Sequence, residues 1–162
     1  MSIQRIMVPV SFAPSCKKAF GMAATLAGAF GAKLYVVNVY KTLTRFFYNI
    51  GGAIFDEELR FERQKRLEDL SQFVQTELEK LSLSIPVEEV EVVDGDSATD
   101  TILKVAKQKN IDLIVLGHHE ELKLEHYLFG RNINRIVDRA PCGVLVTRST
   151  EYAKALEFEE AA

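Results

Sequence analysis

Short apolar runs alternate with longer amphipathic segments along this chain of 162 residues. Five runs, at residues 3–10, 34–40, 87–93, 113–116 and 144–146, are rich in valine, isoleucine and leucine and are bounded by turn-forming residues. Runs of this length and composition predict β-strands. The segments between them, at 14–31, 55–81, 97–110 and 130–140, repeat apolar residues at helical spacing and predict four helices. Such an alternation is typical of a parallel sheet covered by helices on both faces.

Local signals mark the ends of two of these helices. Gly31 follows the last apolar position of the first helix and suits a left-handed C-terminal cap. Ser97 and Asp100 have the spacing of a capping box and predict the start of the third helix. We expect Ala98 to lie on the buried side of that helix.

One segment interrupts the alternation, from Lys41 to Ile54. It contains Phe46, Phe47 and Tyr48, followed by two adjacent glycines. The interpretation that we favour is a connection folded back over the core. The alternative is a lid or a surface for a protein partner, because exposed apolar area of this kind usually marks an interaction.

The length fits a single domain, which we expect over residues 1–148, followed by an acidic tail over 149–162. A hydrophobic content of 48% with 27% charged residues is typical of a soluble globular protein. The net charge of −3 gives no reason to expect a nucleic acid or a membrane surface as partner. Because no apolar run approaches the length of a membrane span and no signal peptide is recognisable, we expect a cytoplasmic protein.

Residues capable of catalysis or metal binding are sparse. Cys16 and Cys142 lack metal-ligand spacing, so we expect two reduced, buried thiols. His118, His119 and His126 are not accompanied by cysteines or aspartates at ligand spacing, so we predict no metal site. The chain also lacks a glycine-rich phosphate loop after its first strand and paired catalytic carboxylates. These observations predict no catalytic residues.

The stretch 112–148 carries the most specific pattern. A strand ends at Gly117, a polar loop follows, and Gly130 is expected to open a helix that Pro141 stops. The apolar face of that helix is predicted to contain three residues: Ile133, Ile136 and Val137. A loop with glycines at both ends, leading into a helix N-terminus, forms a cradle for an anion because free backbone N–H groups point at one spot.

This stretch resembles the C-terminal signature of the universal stress protein family, G-x2-G-x9-G-[S/T], whose backbone amides hold the phosphates of ATP. Gly117 and Gly130 match the first and last glycines, and His119 matches a histidine often present in the loop. Glu120 replaces the second glycine, and Arg131 replaces the closing serine or threonine.

The resemblance extends from the start of the chain to about Arg148. It implies a doubly wound α/β domain with a five-stranded parallel sheet of order 3-2-1-4-5, and a ligand crevice beyond the ends of the first and fourth strands. Ser11 matches an aspartate that contacts the nucleotide in relatives, and Val39 matches a position whose backbone meets the adenine. The candidate crevice residues are Pro9, Val10, Ser11, Val39, Leu116, Gly117, His119, Glu120, Gly130, Arg131, Asn132 and Ile133.

Glu120 opposes a bound phosphate. A carboxylate about 4 Å from a phosphate charge costs on the order of 4 kcal/mol at an effective dielectric of 20. A helix N-terminus returns only about 0.3–1 kcal/mol. Arg131 has two interpretations: it pairs with Glu120 and closes the site, which we favour, or it reaches forward to bind an anionic ligand.

Three functional hypotheses follow. The first is a regulatory stress-response module with a degenerate ATP pocket that acts through protein contacts and holds no firm cofactor. The second is a sensor that binds an adenine nucleotide (ATP, AMP or cyclic AMP) or another anion. The third and weakest is an enzyme such as a nucleotidyl transferase or phosphatase. The resemblance also implies a homodimer through the last strand, Val144, Leu145 and Val146, whose apolar edge needs covering.

Overall fold

The computed structural model describes residues 2–41, 52–118 and 127–148; for residues 52–56 and 127–131 it describes the backbone alone. The described strands are β1 (Arg5–Pro9), β2 (Lys33–Tyr40), β3 (Val87–Asp94), β4 (Leu113–Gly117) and β5 (Gly143–Thr147). The described helices are α1 (Pro14–Phe30), α2 (Gly52–Leu81), α3 (Ala98–Gln108) and α4 (Tyr127–Arg139). The strands form one parallel sheet in the order β3-β2-β1-β4-β5, which confirms the predicted fold.

A separate hydrophobic core lies on each face of this sheet. Successive residues of β1 point to opposite faces, so Ile6 and Val8 join one core while Met7 joins the other. The first core is closed by α1 and α2, and the second by α3 and α4. The buried face of α1 is largely alanine (Ala19, Ala23, Ala24 and Ala27), which allows this helix to lie close to the sheet.

Both predicted helix caps are present. Gly31 adopts φ 62° and ψ 30°, a left-handed conformation that glycine adopts without steric cost. The Ser97 hydroxyl accepts a hydrogen bond from the Asp100 backbone N–H at 3.3 Å. That hydroxyl, followed by Arg135 and Arg139, holds the pKa of the exposed Asp100 carboxyl below its ordinary value.

Three details of the helices differ from the prediction. Gly130 does not open α4, because the helix begins three residues earlier, at Tyr127. Val137 is 51% exposed, since Ile136 takes the buried position and the next residue lies about 100° further round the helix. Ala98 is exposed, whereas its neighbour Thr99 is buried and donates its hydroxyl hydrogen to Asn132 Oδ1 at 3.2 Å.

The segment from Lys41 to Ile54 was expected to be irregular, but its last three residues, 52–54, are helical because α2 begins at Gly52. Residues 42–51, which contain the aromatic cluster, and the tail at 149–162 lie outside the described residues. Within the described ranges, no helix combines the length and apolarity needed to cross a membrane.

Candidate functional site

The sheet order creates a crevice at its carboxyl edge. The chain leaves β1 for α1 on one face and leaves the neighbouring β4 for α4 on the other, so the two connections diverge. Ligands of doubly wound sheets bind at such a point. Six of the twelve candidate residues lie on the strands or the turn at this edge: Pro9, Val10, Ser11, Val39, Leu116 and Gly117.

The other six candidates belong to the β4–α4 loop and to α4. His119 and Glu120 lie outside the described residues. Gly130 and Arg131 are described in their backbone, as the fourth and fifth residues of α4. The N–H of Gly130 is therefore among the first four of the helix, which lack a partner within it.

Asn132 and Ile133 have structural contacts of their own. The Asn132 side chain accepts the hydrogen bond from buried Thr99 and so links α4 to α3. Ile133 packs against the second core. Two further ion pairs join the same helices, from Arg135 and Arg139 to Asp100 at 3.4 and 2.9 Å. This network holds the second half of α4 against α3.

Two crevice residues, one directly after β1 and one in β4, have side chains in the hydrophobic cores. Val10 is 2% exposed and Leu116 is 5% exposed, and they belong to the cores on opposite faces of the sheet. A ligand in the crevice would therefore meet the backbone at these positions.

Ser11 is turned toward α1. Its backbone N–H donates to Cys16 Sγ at 3.3 Å, and its hydroxyl oxygen lies 3.3 Å from the same sulfur. Cys16, as predicted, is buried, at 5% exposure. The residue that matches the nucleotide-contacting aspartate of relatives therefore stabilises the turn between β1 and α1.

Asn38 holds the other side of the same peptide group. Its Nδ2 donates to the carbonyl oxygen of Val10 at 2.7 Å, while the N–H of Ser11 bonds Cys16. Asn38 is 3% exposed, and its Oδ1 has no hydrogen-bond partner within the described residues. Asn38 was not among the predicted site residues, although a polar residue in the apolar run LYVVNVY was a signal that could have identified it.

The turn that follows is strained. Phe12 has φ 63°, a left-handed conformation that is unusual for a bulky residue. Its ring makes an edge-to-face contact with Phe73 of α2, with centroids 6.2 Å apart. The contacts of Ser11, Asn38 and Phe73 together fix this conformation.

Gly117 is required by packing. A Cβ at this position would lie 2.6 Å from the Ser15 carbonyl oxygen and 2.8 Å from its carbonyl carbon. Real Cβ atoms do not approach backbone atoms this closely, so the end of β4 meets the first turn of α1 only because residue 117 has no side chain. The glycine that matches the first position of the ATP signature thus has a structural role in this chain.

Cys142 is half-buried, whereas both thiols were predicted to be buried. Burial, followed by the nearby Asp112 carboxylate, raises the pKa of its thiol, which disfavours the thiolate needed by a nucleophile. The parts of the chain that the structure describes contain no cluster of three or more histidine, cysteine, aspartate or glutamate residues suited to a metal ion.

Comparisons with known proteins agree on the family. The family model described as "Universal stress protein family" matches residues 2–148. A Staphylococcus haemolyticus protein named as a universal stress protein is 26% identical over 161 residues, which cover 99% of this chain and 94% of that protein.

Solved structures show the same fold. The universal stress protein UspA from Lactobacillus plantarum superposes with a TM-score of 0.65 at 28% identity, covering 91% of this chain and 99% of that one. The universal stress protein from Archaeoglobus fulgidus in complex with dAMP superposes with a TM-score of 0.58 at 22% identity, covering 90% and 98%. The chain therefore belongs to the universal stress protein family.

Proposed function

We propose that this chain is a regulatory module of its family that acts through protein contacts and does not hold a triphosphate tightly. The observation that carries the proposal is the position of Ser11. It replaces the aspartate expected for nucleotide contact, and its hydroxyl lies against the Cys16 thiol of α1. Packing against Ser15 accounts for Gly117.

The charges of the loop support the same conclusion. Glu120 would stand where the phosphates approach, and Arg131 is available to neutralise it. Cys142 is not a candidate nucleophile for the crevice, because it precedes β5 at the opposite edge of the sheet and burial raises the pKa of its thiol. We therefore propose a non-catalytic role.

A second candidate is a sensor for a smaller adenine nucleotide. The Archaeoglobus fulgidus relative was solved with dAMP, which carries a single phosphate. If the base and sugar occupy the same place, a nucleoside monophosphate extends less far toward Glu120 than a triphosphate does. The electrostatic repulsion between its phosphate and the Glu120 carboxylate is therefore weaker. Val39 and Gly117 lie near or at the carboxyl ends of their strands, beside the crevice that such a ligand would occupy.

Thermal unfolding separates the two candidates. We expect millimolar ATP with Mg²⁺ to leave the melting temperature of the purified protein almost unchanged. A ligand present at 100 times its Kd adds about 2.7 kcal/mol, or about 5–10 °C for a chain of this size. A saturable shift of that size with ATP would contradict the proposal, and a shift with AMP or cyclic AMP alone would establish the second candidate.

We further propose that the module is a homodimer joined through β5. The two edges of the sheet differ: β3 carries Glu88, Glu89 and Glu91, whereas β5 presents only half-buried aliphatic residues between Gly143 and Thr147. Charged residues protect an edge strand from pairing, and an apolar edge needs a cover.

Val144→Lys should therefore halve the mass of the wild-type assembly in light scattering at micromolar concentration. Val90→Lys is the matched control, because Val90 is also a half-buried valine on an edge strand. That variant should keep the wild-type mass, and circular dichroism should show that both variants are folded. A monomeric wild-type protein, or a halved mass in both folded variants, would contradict the proposed interface.

A further inference from the structure

The amino-terminal half of α2 extends beyond the sheet. The helix passes the end of β2 at Arg66. The guanidinium carbon of Arg66 lies 5.1 Å from the centre of the ring of Tyr40, the last residue of β2. Because α2 runs opposite to the strands, residues 52–65 lie past the carboxyl edge. This segment, the arm, is about 20 Å long. Of its residues 57–65, all but the partly buried Leu59 are exposed.

Among the described residues, positions 57–65 of the arm have little of the packing that normally stabilises a helix. A helix of about 12–15 residues is marginal in water without tertiary contacts. Two contacts between neighbouring turns are present at its base, where Arg66 pairs with Glu62 at 3.0 Å and Gln64 donates to Glu68 at 2.9 Å. Such pairs contribute only a few tenths of a kcal/mol in general. A partner surface would supply the packing that the described residues of the chain do not.

The outward face of the arm centres on an aromatic residue. Phe61 is 73% exposed, the highest value among the large exposed hydrophobic residues of the described chain. It lies nine residues before fully buried Leu70, which is about half a rotation away, so it points away from the core. Glu57 and Lys65, one turn before and one turn after it, lie on the same face and are exposed.

This face is complementary to itself. If two arms pack antiparallel about Phe61, the two rings meet at the centre and Glu57 of each arm faces Lys65 of the other. The wider charge distribution agrees, because residues 56–58 are three acids and residues 63–66 contain three bases and no acid. A two-fold interface requires such reciprocity, and a parallel arrangement would oppose like charges. Acids also suit the first turns of a helix, so Phe61 and Lys65 indicate pairing more specifically than the acidic residues do.

From these observations we propose that the arm is an interface to a second copy of this chain, formed by antiparallel pairing about Phe61. The sheet edge at β5 and the arm are different surfaces, so arm pairing doubles the mass of whatever assembly the sheet edge produces. The interface is small, and we expect affinity in the micromolar range. The crevice does not contribute to this interface. The proposal of arm pairing and the proposal about nucleotide binding are therefore tested independently.

The test measures the mass of the full chain by sedimentation equilibrium over a concentration series. Phe61→Gln should halve the mass of the largest species and weaken the association on the order of a hundredfold, because both copies lose a central aromatic ring. Phe30→Gln is the matched control, since Phe30 is 53% exposed on a different helix, and it should leave the mass unchanged. Equal masses for the wild type and Phe61→Gln would exclude a second copy and overturn the proposal.

Charge exchange tests the register. Glu57→Lys and Lys65→Glu should each weaken association on the order of tenfold, because each opposes like charges at two places in the interface. The double variant Glu57→Lys with Lys65→Glu restores opposite charges and should recover the wild-type mass. All of these substitutions keep good helix formers in the arm. A double variant that associates no better than the single ones would contradict antiparallel pairing.

Discussion

Gly117→Ala should destabilise this protein by about 3 kcal/mol, at the upper end of the usual cost of overpacking. The added methyl group would meet the backbone carbonyl of Ser15 at 2.6 Å, and backbone in the first turn of a helix cannot move aside as a flexible side chain can. For a chain of this length the loss corresponds to a fall in melting temperature of about 6–12 °C. Thermal or urea unfolding followed by circular dichroism measures it.

Gly143→Ala is the control for this prediction. Gly143 opens β5, in register with Leu113 at the opposite end of β4 from Gly117. A Cβ at position 143 would have its nearest neighbours at 3.5 Å, which is an ordinary contact distance. That variant should unfold within about 1 kcal/mol of the wild type. If the two alanine variants are equally stable, the structural role assigned to Gly117 is wrong.

Replacing the charged pair of the loop should restore ATP binding. Glu120→Gly with Arg131→Ser recreates the small, neutral residues of the family signature, and the net charge of the protein does not change. Removing a carboxylate near the phosphates relieves a repulsion on the order of 4 kcal/mol at 4 Å and an effective dielectric of 20, part of which Arg131 offsets in the wild type. We expect a gain in MgATP affinity of at least about tenfold, which corresponds to about 1.4 kcal/mol.

The matched control replaces the neighbouring glutamate, Glu121, in place of Glu120. Glu121→Gly with Arg131→Ser removes the same charges but leaves Glu120 in place. Titration calorimetry with MgATP should show the gain in the first variant and not in the second. Equal affinity in both variants would mean that Glu120 does not control access of the phosphates.

Much of the fold could be predicted from local pattern. The five apolar runs became the five strands, and Gly31 and Ser97 cap helices where their types suggested, because strands and caps depend on neighbours in the chain. Errors arose where local signals were ambiguous. Gly130 suggested a helix start, but the three residues before it already belong to α4. Val137 is as apolar as its buried neighbour Ile136, so apolar character alone could not show which of the two is buried.

The candidate site was less accessible to sequence reasoning. The approximate positions of Ser11 and Gly117 in the crevice follow from the family signature and the strand order. Their roles depend on contacts between distant elements: Asn38 of β2 holds Val10, and Ser15 of α1 fills the space above Gly117. No local pattern reports contacts of this kind. The glycine expected to admit a phosphate was therefore recognisable as a packing residue only in three dimensions.

A crystal structure of the wild-type chain grown with millimolar MgATP tests the central claim most directly. We predict that Ser11 keeps its contact with Cys16 and that no triphosphate is ordered along the loop between Gly117 and Arg131. An ATP molecule at full occupancy, with its phosphates against the N–H groups at the start of α4 and Ser11 turned toward the base, would contradict the account.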